Sequence, residues 1–452
     1  MKLTQNLRSE MSNRPSGMVL AVGAGMLFCA AITLMGFLLL SERALQKDRG
    51  LHLADSASLA AARWHAQILN YQAYANRAIL ANEIMMIQSL TLLSWVNHID
   101  QLMKNVGTVS ALFPPLRAVA QTMIQTAEAT RKATESGVRL EIPLRSGYTH
   151  ALAASQRLMH DAATPFATQA LINEVIWTSD RGYFGQYLPT SDVSKLYFGT
   201  RSFSGDERAL YARTITDALD GFTRARGFDS RLYLLPTTGC IPTSIDRAFS
   251  RLVRRGGSGY DSDYSDISAI DTLSVHQWRK RSWWRPTCSG IGESFSLAWG
   301  AASTTSTPRL AELGGTSANP GSTSRASSDA SRVSGYLGLP SFWDVADPGR
   351  RSDYSAFRLS VLVAGRESEG NRKASTNEQI RTVQKRLFPE ASLARPGYAV
   401  SASEVYFDDR TLHDQRFLPN LFEPRWNARL VPTSYEDQLV AEVKTRLKEG
   451  VQ

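Results

Sequence analysis

The sequence predicts an α+β fold in which a single N-terminal transmembrane helix continues into a long spine helix, followed by further helices and an antiparallel-sheet head. Three observations lead to this fold class. An uncharged run lies near the N-terminus, an alanine-rich segment without proline follows it, and alternating apolar runs recur in the second half. The chain has 452 residues, of which 43% are hydrophobic, which is enough to bury a sizeable core.

The uncharged run Met18–Leu40 is long enough to cross a bilayer. Its 23 residues, at a rise of about 1.5 Å per residue, span a hydrocarbon core of about 30 Å. The run is longer than the apolar region of a cleaved signal peptide, and the sequence LLLSERAL at its exit has no small-x-small cleavage pattern. We expect a cytoplasmic tail at 1–17 and a retained anchor at 18–40 that contacts membrane lipid.

The basic residues on the two sides of the anchor are balanced, so they do not indicate on which side of the membrane the body lies. The cysteines bear on this question. Cys29 falls inside the anchor, which leaves Cys240 and Cys288 as an isolated pair in the C-terminal part. In an exported domain such a pair is a candidate disulfide, and two free buried thiols in a cytoplasmic domain are the alternative. Since disulfides are rare in the cytoplasm, the first interpretation places the body outside it.

A long juxtamembrane helix is predicted over 41–113. Thirteen positions from Trp64 to Val106 follow each other at steps of four and three residues, and only Asn82 and Ser89 among them are polar. This spacing keeps them on one helix face, which we expect to be buried. A coiled-coil seam is the alternative, but enough chain follows to cover the helix, so a spine within a globular head is favoured.

The later boundaries follow from composition and alternation. Residues 114–253 are predicted to be mainly helical, including helices at 116–136, 149–178 and about 206–226. Residues 254–302 form a disulfide- and aromatic-rich segment whose start, 254–266, is linker-like, and 303–334 is a flexible loop rich in serine, glycine and threonine. Residues 335–452 are mostly β with a terminal helix, and apolar alternation in FSLAWGAA, FRLSVLVAG, YAVSASEVYF and WNARLVPTS favours an antiparallel sheet.

Catalytic and metal-binding patterns are not found in the sequence. The seven histidines have no partners at HExxH or zinc-finger spacing, and there is no nucleophile elbow or phosphate-binding glycine loop. The acidic stretch at Asp261, Asp263 and Asp266 fails the calcium-loop pattern, since its sixth and twelfth positions are Asp266 and Thr272. We expect no enzyme, no cofactor, no metal and no small-molecule substrate.

The net charge of +9 raises the question of a nucleic-acid partner. The densest basic cluster is QWRKRSWWRP, in which Arg279, Lys280, Arg281 and Arg285 are interleaved with Trp278, Trp283 and Trp284. A stacking groove for single-stranded nucleic acid combines such residues. An aromatic-rich loop beside a cysteine in an exported protein is favoured, and no nucleic acid is expected.

The segment LADSASLAAARWHAQILNYQAYANRAILANEIMMIQSLTLLSWV behind the anchor resembles the TadE/TadG-like pilus-assembly proteins of bacterial Flp (tight-adherence) systems. In that family an anchor leads into an alanine-rich helix, often followed by a similar LNYQAYANRA segment. The phrases AVSASEVYF and LFEPRWNARLVP look like the closing segment of longer members, so the resemblance covers residues 17–100 and 397–432. A processed prepilin carries Glu at its fifth position, where cleavage after Gly17 or Gly25 would leave Val22 or Ala30.

The resemblance implies a single-pass protein of the bacterial inner membrane with a pilin-like spine helix and a periplasmic head. It also implies a non-enzymatic assembly factor or minor pilin-like subunit of a Flp/Tad type IV pilus or related secretion apparatus, with other pilus-assembly or pilin subunits as partners. An anchored periplasmic hydrolase and a membrane-tethered nucleic-acid-binding protein are the alternatives.

Eight positions of the long helix are candidates for interaction with a partner, and packing of the helix onto its own head is the alternative for each. They are Trp64, Asn70, Tyr71, Tyr74, Asn76, Arg77, Asn82 and Glu83.

Overall fold

A computed structural model describes residues 16–110, 115, 117–305, 310–365, 398–409 and 418–449. Its dominant element is helix α1 (Ser16–Ser110), whose 95 residues extend over about 142 Å at the usual rise of 1.5 Å per residue. No proline interrupts α1, and the helix ends four residues before the Pro114–Pro115 pair. The predicted α+β class with an apolar N-terminal helix is confirmed.

Helix α1 has two parts with different surroundings. Residues Leu20–Leu38 are apolar and none of them is buried by the rest of the chain, as expected for a single membrane span or a signal sequence. From Leu53 onwards α1 enters the body, where Ala54, Ala57 and Ala61 are fully buried. The second part, Ala44–Ser110, is also apolar enough to cross a membrane, but half of it is covered by the protein. It is the core helix of the folded part of the chain from Leu53 onwards, which we call the head or body.

Helix α2 (Arg117–Asp161) runs back along α1. Two contacts show that α2 is antiparallel to α1. A hydrogen bond joins Tyr71 to Ser155 near one end, and an ion pair joins Asp100 to Arg131 near the other. The other helices are α3 (Pro165–Ser179), α4 (Val193–Phe198), α5 (Ala209–Ala218), α6 (Gly221–Arg224), α7 (Ile245–Ala248), α8 (Pro320–Ser328) and α9 (Tyr435–Glu449). Short 3₁₀ segments occupy Gly205–Arg208, Leu310–Ala318 and Pro348–Tyr354.

Two antiparallel sheets lie against successive stretches of α1. The strands are β1 (Tyr183–Tyr187), β2 (Thr200–Phe203), β3 (Ala225–Pro236), β4 (Phe249–Tyr260), β5 (Ile267–Ser282), β6 (Arg285–Ser303), β7 (Ser331–Arg332), β8 (Phe342–Val345), β9 (Ala356–Gly365), β10 (Tyr398–Phe407) and β11 (Trp426–Val431). The sheet against the earlier part of α1, which we call the proximal sheet, has the order β1-β9-β10-β11. The sheet against the later part, the distal sheet, has the order β3-β4-β5-β6-β7. β2 pairs with β8, and the short β6–β7 pairing is parallel.

The strands predicted from apolar alternation are confirmed. FSLAWGAA lies in β6, FRLSVLVAG in β9, YAVSASEVYF is β10 and WNARLV is β11. Their apolar positions fill cores shared with α1: Leu359, Val361 and Ala399 pack with Ala54 and Ala57. The predicted terminal helix is also present as α9, which Asp437 ties to β9 through an ion pair of 2.7 Å with Arg358.

The prediction of a flexible loop at 303–334 is wrong for the described part of that range. Residues 310–318 form short 3₁₀ turns on either side of a kink at 313–315, α8 is helical, and Ser322, Thr323 and Ala326 are buried. The small side chains allow α8 to lie close on the distal sheet, where the backbone nitrogens of Gly321 and Ser322 bind the Glu293 carboxylate. Serine and glycine here serve close packing, whereas composition alone suggested mobility.

The prediction of a mainly helical 114–253 needs correction at its end, because β3 begins at Ala225 and β4 at Phe249. The helix expected to reach Arg226 stops at Ala218, and Asp220 caps the new turn α6 by accepting from the Thr223 amide. The expected gap between 136 and 149 is closed, because α2 continues through Pro143. Tertiary contacts, including the buried bond from Arg226 to Asp271, override local helix preference here.

The linker-like stretch at 254–266 is also corrected, since its first half is part of β4. The glycines there allow close approach of neighbouring backbone. A Cβ on Gly256 would lie 2.6 Å from the Ile270 carbonyl oxygen, and one on Gly257 would lie 2.8 Å from the Cα of Gly314. Glycine is therefore required by packing at both positions.

The predicted disulfide between Cys240 and Cys288 is present, with Cα atoms 5.1 Å apart. It ties the segment before α7 to β6 near the β5–β6 hairpin, and the Cys288 amide also donates to the Ile241 carbonyl at 2.9 Å. Trp283 and Trp284 at the tip of this hairpin are 73% and 82% exposed. The disulfide thus braces a projecting aromatic hairpin.

Candidate functional site along the long helix

The buried face of α1 is broader than the predicted stripe and is centred one position away from it. Met85 and Leu92 of that stripe are 42% and 48% exposed. The buried positions include His65, Leu69, Gln72, Asn76, Ile79, Glu83, Met86, Leu90 and Ser94. Within the described part of the chain the Gln72 side-chain amide is buried without a hydrogen bond, whereas Asn76, Glu83 and Ser94 bond to other segments, as buried polar groups require. We call the contacts of Asn70, Asn76, Glu83 and Ser94 the docking ladder, and it forms the candidate functional site.

Asn70 and Asn76 bind backbone groups of distant segments. The Asn70 side chain donates to the Trp426 carbonyl at 2.8 Å and accepts from the Trp426 amide at 2.9 Å, so it pairs with the start of β11 as a neighbouring strand would. Asn76, fully buried, donates to the carbonyls of Trp343 and Leu421 at 2.6 and 2.5 Å. Its carbonyl oxygen accepts from Gln156 of α2 at 2.9 Å. One amide thus joins α1, α2 and two C-terminal segments.

Glu83 is a fully buried carboxyl in the middle of the head. Its Oε2 accepts hydrogen bonds from the hydroxyls of Tyr260 and Tyr336 at 2.9 and 2.8 Å. Burial raises the pKa of Glu83 to about 7, and the two tyrosine bonds limit the rise because they stabilise the ionised form. Glu83 therefore joins α1 to β4 and to the segment before β8, at a carboxyl that titrates near neutral pH.

Farther along α1, Ser94 contacts a buried ion pair of the distal sheet. Its hydroxyl donates to Asp271 at 2.9 Å, and Asp271 accepts from the Arg226 guanidinium at 2.8 Å. Both charged side chains are almost wholly buried, and Arg226 also donates to the carbonyls of Gly257 and Ile270. A buried pair satisfied in this way orders its surroundings, whereas removing one partner would leave an uncompensated charge.

Close backbone approach accompanies these bonds at Gly300 of β6. An added Cβ there would collide with the backbone of Ser94 and His98 on α1. Asn97 and Asn105 of α1 bind the carbonyls of Ala301 and Leu297 at 2.9 and 2.7 Å. Strand β6 therefore lies directly on the helix backbone and follows its axis.

The remaining predicted positions differ in exposure. Tyr71 bonds Ser155 at 2.6 Å, Asn82 accepts from Arg145 at 2.8 Å, and Arg77 forms an ion pair of 3.1 Å with Glu423. Trp64 is partly buried, and Tyr74 is 62% exposed. The structure thus assigns Asn70, Tyr71, Asn76, Arg77, Asn82 and Glu83 contacts within the chain, while Tyr74 points outwards.

Two histidines of α1 are held neutral in the core. Burial lowers the pKa of His65 and of His98 to about 4 in each case. His65 Nε2 lies 2.9 Å from the Thr168 hydroxyl of α3. Such buried, locally packed imidazoles serve structure, as expected for histidines on this helix.

The described residues contain no group of three or more His, Cys, Asp or Glu side chains arranged to hold a metal ion. The acidic stretch forms a closed turn after β4, in which Ser265 donates to Asp261 and Asp263 at 3.1 Å each and the Asp266 amide binds Asp261. Its carboxylates are satisfied by the turn itself.

Comparison of the chain with protein-family models, curated proteins and solved structures finds no match. The resemblance to TadE/TadG-like proteins therefore rests on the sequence segments quoted above.

The partners of the docking ladder were not predictable from spacing along α1. Tyr260, Tyr336 and Asp271 lie more than 170 residues from the α1 side chains that they bind. The signal that was available is the occurrence of Asn76 and Glu83 in an otherwise apolar, alanine-rich helix, because buried polar groups require partners.

Replacing Asn76 by Leu is expected to lower the free energy of unfolding by about 2 kcal/mol or more, because it leaves the Trp343 and Leu421 carbonyls buried without donors. Tyr74→Leu, on the exposed side of the same helix, should change it by less than about 0.5 kcal/mol. Thermal unfolding of the detergent-purified chain, followed by circular dichroism, compares the two. Equal losses in both variants would contradict the role of Asn76.

Replacing Glu83 by Gln should alter how stability depends on pH. Glu83 has a folded-state pKa of about 7 against an ordinary value of 4.5, so its protonated form stabilises the fold fully below pH 4.5 and this contribution is lost as pH rises through 7. At pH 8 the loss amounts to about 3 kcal/mol.

The stability of Glu83→Gln relative to the natural chain should therefore rise between pH 5 and pH 8 and be level below pH 4.5. Measuring the difference at each pH cancels the opposite contribution of His65 and His98. Glu174→Gln, at an exposed position of α3, is the control. A difference that does not vary with pH would show that Glu83 does not titrate in this range.

Proposed function

We propose that this protein is a membrane-anchored, non-enzymatic component of a bacterial Flp (tight-adherence) pilus or related secretion apparatus, acting as an assembly factor or minor pilin-like subunit. The observation that carries the proposal is that α1 passes without a break from its exposed apolar segment into the core of the head. The resemblance of the same helix to TadE/TadG-like proteins supports it.

A continuous helix is suited to mechanical connection between membrane and head. A flexible linker would allow the head to move independently of the anchor, whereas α1 fixes both position and direction. The docking ladder adds to this, since Asn70, Asn76 and Glu83 fasten α1 to segments from the end and middle of the chain. Displacing α1 would break bonds to both large sheets. Such a body transmits force and orientation, which assembly of a fibre requires.

The location follows the same reasoning. A disulfide in the body is typical of a compartment outside the cytoplasm, so with the apolar segment 20–38 as a retained anchor the head lies in the periplasm. The exposed outer side of α1, including Tyr74, and the outer side of α2 are then available to other pilus subunits.

A membrane-tethered nucleic-acid-binding protein is the second candidate, because Trp283 and Trp284 are exposed at the hairpin tip beside Lys280 and Arg285. That function needs the tip in the cytoplasm. It therefore conflicts with a disulfide-bonded body, and location decides between the two candidates.

Protease treatment of spheroplasts is expected to digest the body from about residue 50 onwards. In the same sample Cys240 and Cys288 should react with a maleimide only after reduction, because they are paired. A cytoplasmic marker protein must stay intact as the control. A protected body with two freely reactive thiols would refute the periplasmic location and favour the nucleic-acid-binding alternative.

Gln46→Pro tests the mechanical role of α1, because it breaks the helix at an exposed position between anchor and body. In the bacterium that encodes the protein, Gln46→Pro should reduce the number of surface pili at least several-fold, while Gln46→Ala should leave it unchanged. Both variants should remain in the membrane fraction at natural levels, with the disulfide formed. Normal piliation with Gln46→Pro would argue against force transmission through α1.

A further inference from the structure

Helix α2 carries an uncharged line of residues along its outer side, which we call the α2 seam. Successive positions are separated by four and three residues without exception over 119–158. All of them are exposed. The positions are Val119, Met123, Thr126, Thr130, Ala133, Gly137, Leu140, Leu144, Gly147, Ala151, Ala154 and Leu158.

The seam is not the side of α2 that packs on the body. Val138, Ile142 and Ala153 on the opposite side enter the core together with Ile79 and Met86 of α1. In contrast, Leu140, Leu144 and Leu158 are 65%, 65% and 71% exposed. The usual occupants of an exposed helix face are charged residues, and the exposed charged residues Lys132, Arg139 and Arg157 of α2 all lie outside the seam.

The glycines of the seam point to a partner. Around Gly137 and Gly147 an added Cβ would meet nothing within 4 Å, so packing within the chain does not require glycine there. In a helix interior each glycine costs about 1 kcal/mol relative to alanine. Glycine and alanine at helical spacing allow a second helix to approach closely, and a regular four–three spacing keeps such positions in line with a partner that coils around them.

We propose that the α2 seam packs against the α2 seam of a second copy of this chain, with the two helices parallel. The parallel arrangement rests on the anchor of the proposed function. α2 is antiparallel to α1, which leads straight into the apolar segment 20–38. Two copies anchored in one bilayer therefore present their seams side by side, at the same height and in the same direction.

The area of the seam is sufficient for a dimer. From Val119 to Leu158 it is about 59 Å long, and a helix with its side chains is about 11 Å wide, which gives roughly 650 Å² per copy. The total of about 1,300 Å² falls within the range of about 1,200–2,000 Å² for stable interfaces. At its distal end the seam borders an open apolar cavity of about 570 Å³ between α2 and Trp95, Ile99 and Met103 of α1, which a partner helix would cover.

The residues flanking the seam fit a parallel pair. In such a pair a residue on one edge comes opposite the residue five positions later on the other copy. Ser136 is thereby placed opposite Glu141, Pro143 opposite Tyr148, and His150 opposite Ser155. No like charges meet at these positions. An antiparallel pair that overlaps over the whole seam would instead place Thr126 opposite Ala151.

Cysteine cross-linking in native membranes tests the proposal. The background is Cys29→Ala, which removes the free thiol of the anchor and keeps the Cys240–Cys288 bond. After mild oxidation, Leu140→Cys and Ala151→Cys should each give a disulfide-linked dimer at least tenfold more abundant than Arg139→Cys, an exposed position beside the seam. Failure of both seam variants to exceed Arg139→Cys would overturn the proposal.

One more variant, Thr126→Cys, reports the direction of the helices. In a parallel pair Thr126 and Ala151 of different copies are about 37 Å apart along the axis, so mixing Thr126→Cys with Ala151→Cys should not increase cross-linking. A cross-link that forms only in the mixture would overturn the parallel arrangement in favour of an antiparallel one.

A charge in the seam should separate the copies. Leu144→Glu is expected to convert the detergent-purified chain from dimer to monomer in light scattering, and Arg139→Glu should leave it dimeric. Both positions are exposed, so each variant should keep the helix content of the natural chain in circular dichroism. A monomeric natural chain would overturn the seam dimer while leaving membrane anchoring intact, whereas loss from the membrane fraction would refute the anchor of the proposed function.

Discussion

The structure depends on one requirement, which is that a single long helix must be covered on several sides by segments distant in sequence. The backbone of α1 satisfies its own hydrogen bonds, so the head needs only to match its side chains. Alanines permit close contact with the proximal sheet, and the docking ladder supplies polar bonds that a uniform apolar face would lack. Because misplaced polar groups would be buried without partners, the ladder selects one register of helix on sheets.

This arrangement links the two large sheets, which make no continuous sheet with each other. Asn70 and Asn76 reach the segments around β11 and β8, while Glu83 and Ser94 reach the distal sheet. Both halves of the head therefore depend on neighbouring turns of the same helix. A shift of α1 along its axis would therefore displace both sheets at once.

Much of the fold could be predicted from the sequence, because the anchor, the proline-free helix and the alternating strands are local patterns. Asn70, Asn76 and Glu83 were among the eight candidate positions, but the sequence left open whether they make internal or external contacts, because the segments that they bind are distant in sequence. Serine- and glycine-rich segments were misinterpreted at 254–266 and 303–334. Composition cannot distinguish small residues that allow mobility from those that allow close packing, as Gly256 and Ser322 do.

The unbroken path of α1 makes the direction in which the head faces a function of residue count. Each residue added to α1 between the apolar segment 20–38 and the head would turn the head by about 100° around the helix axis relative to that segment and move it by about 1.5 Å. Insertions of seven residues would nearly restore the facing direction, with a remaining turn of about 20°. The number of residues in the exposed stretch before Gly50 is therefore more constrained than their identity. We expect related chains to differ in length there by multiples of seven residues.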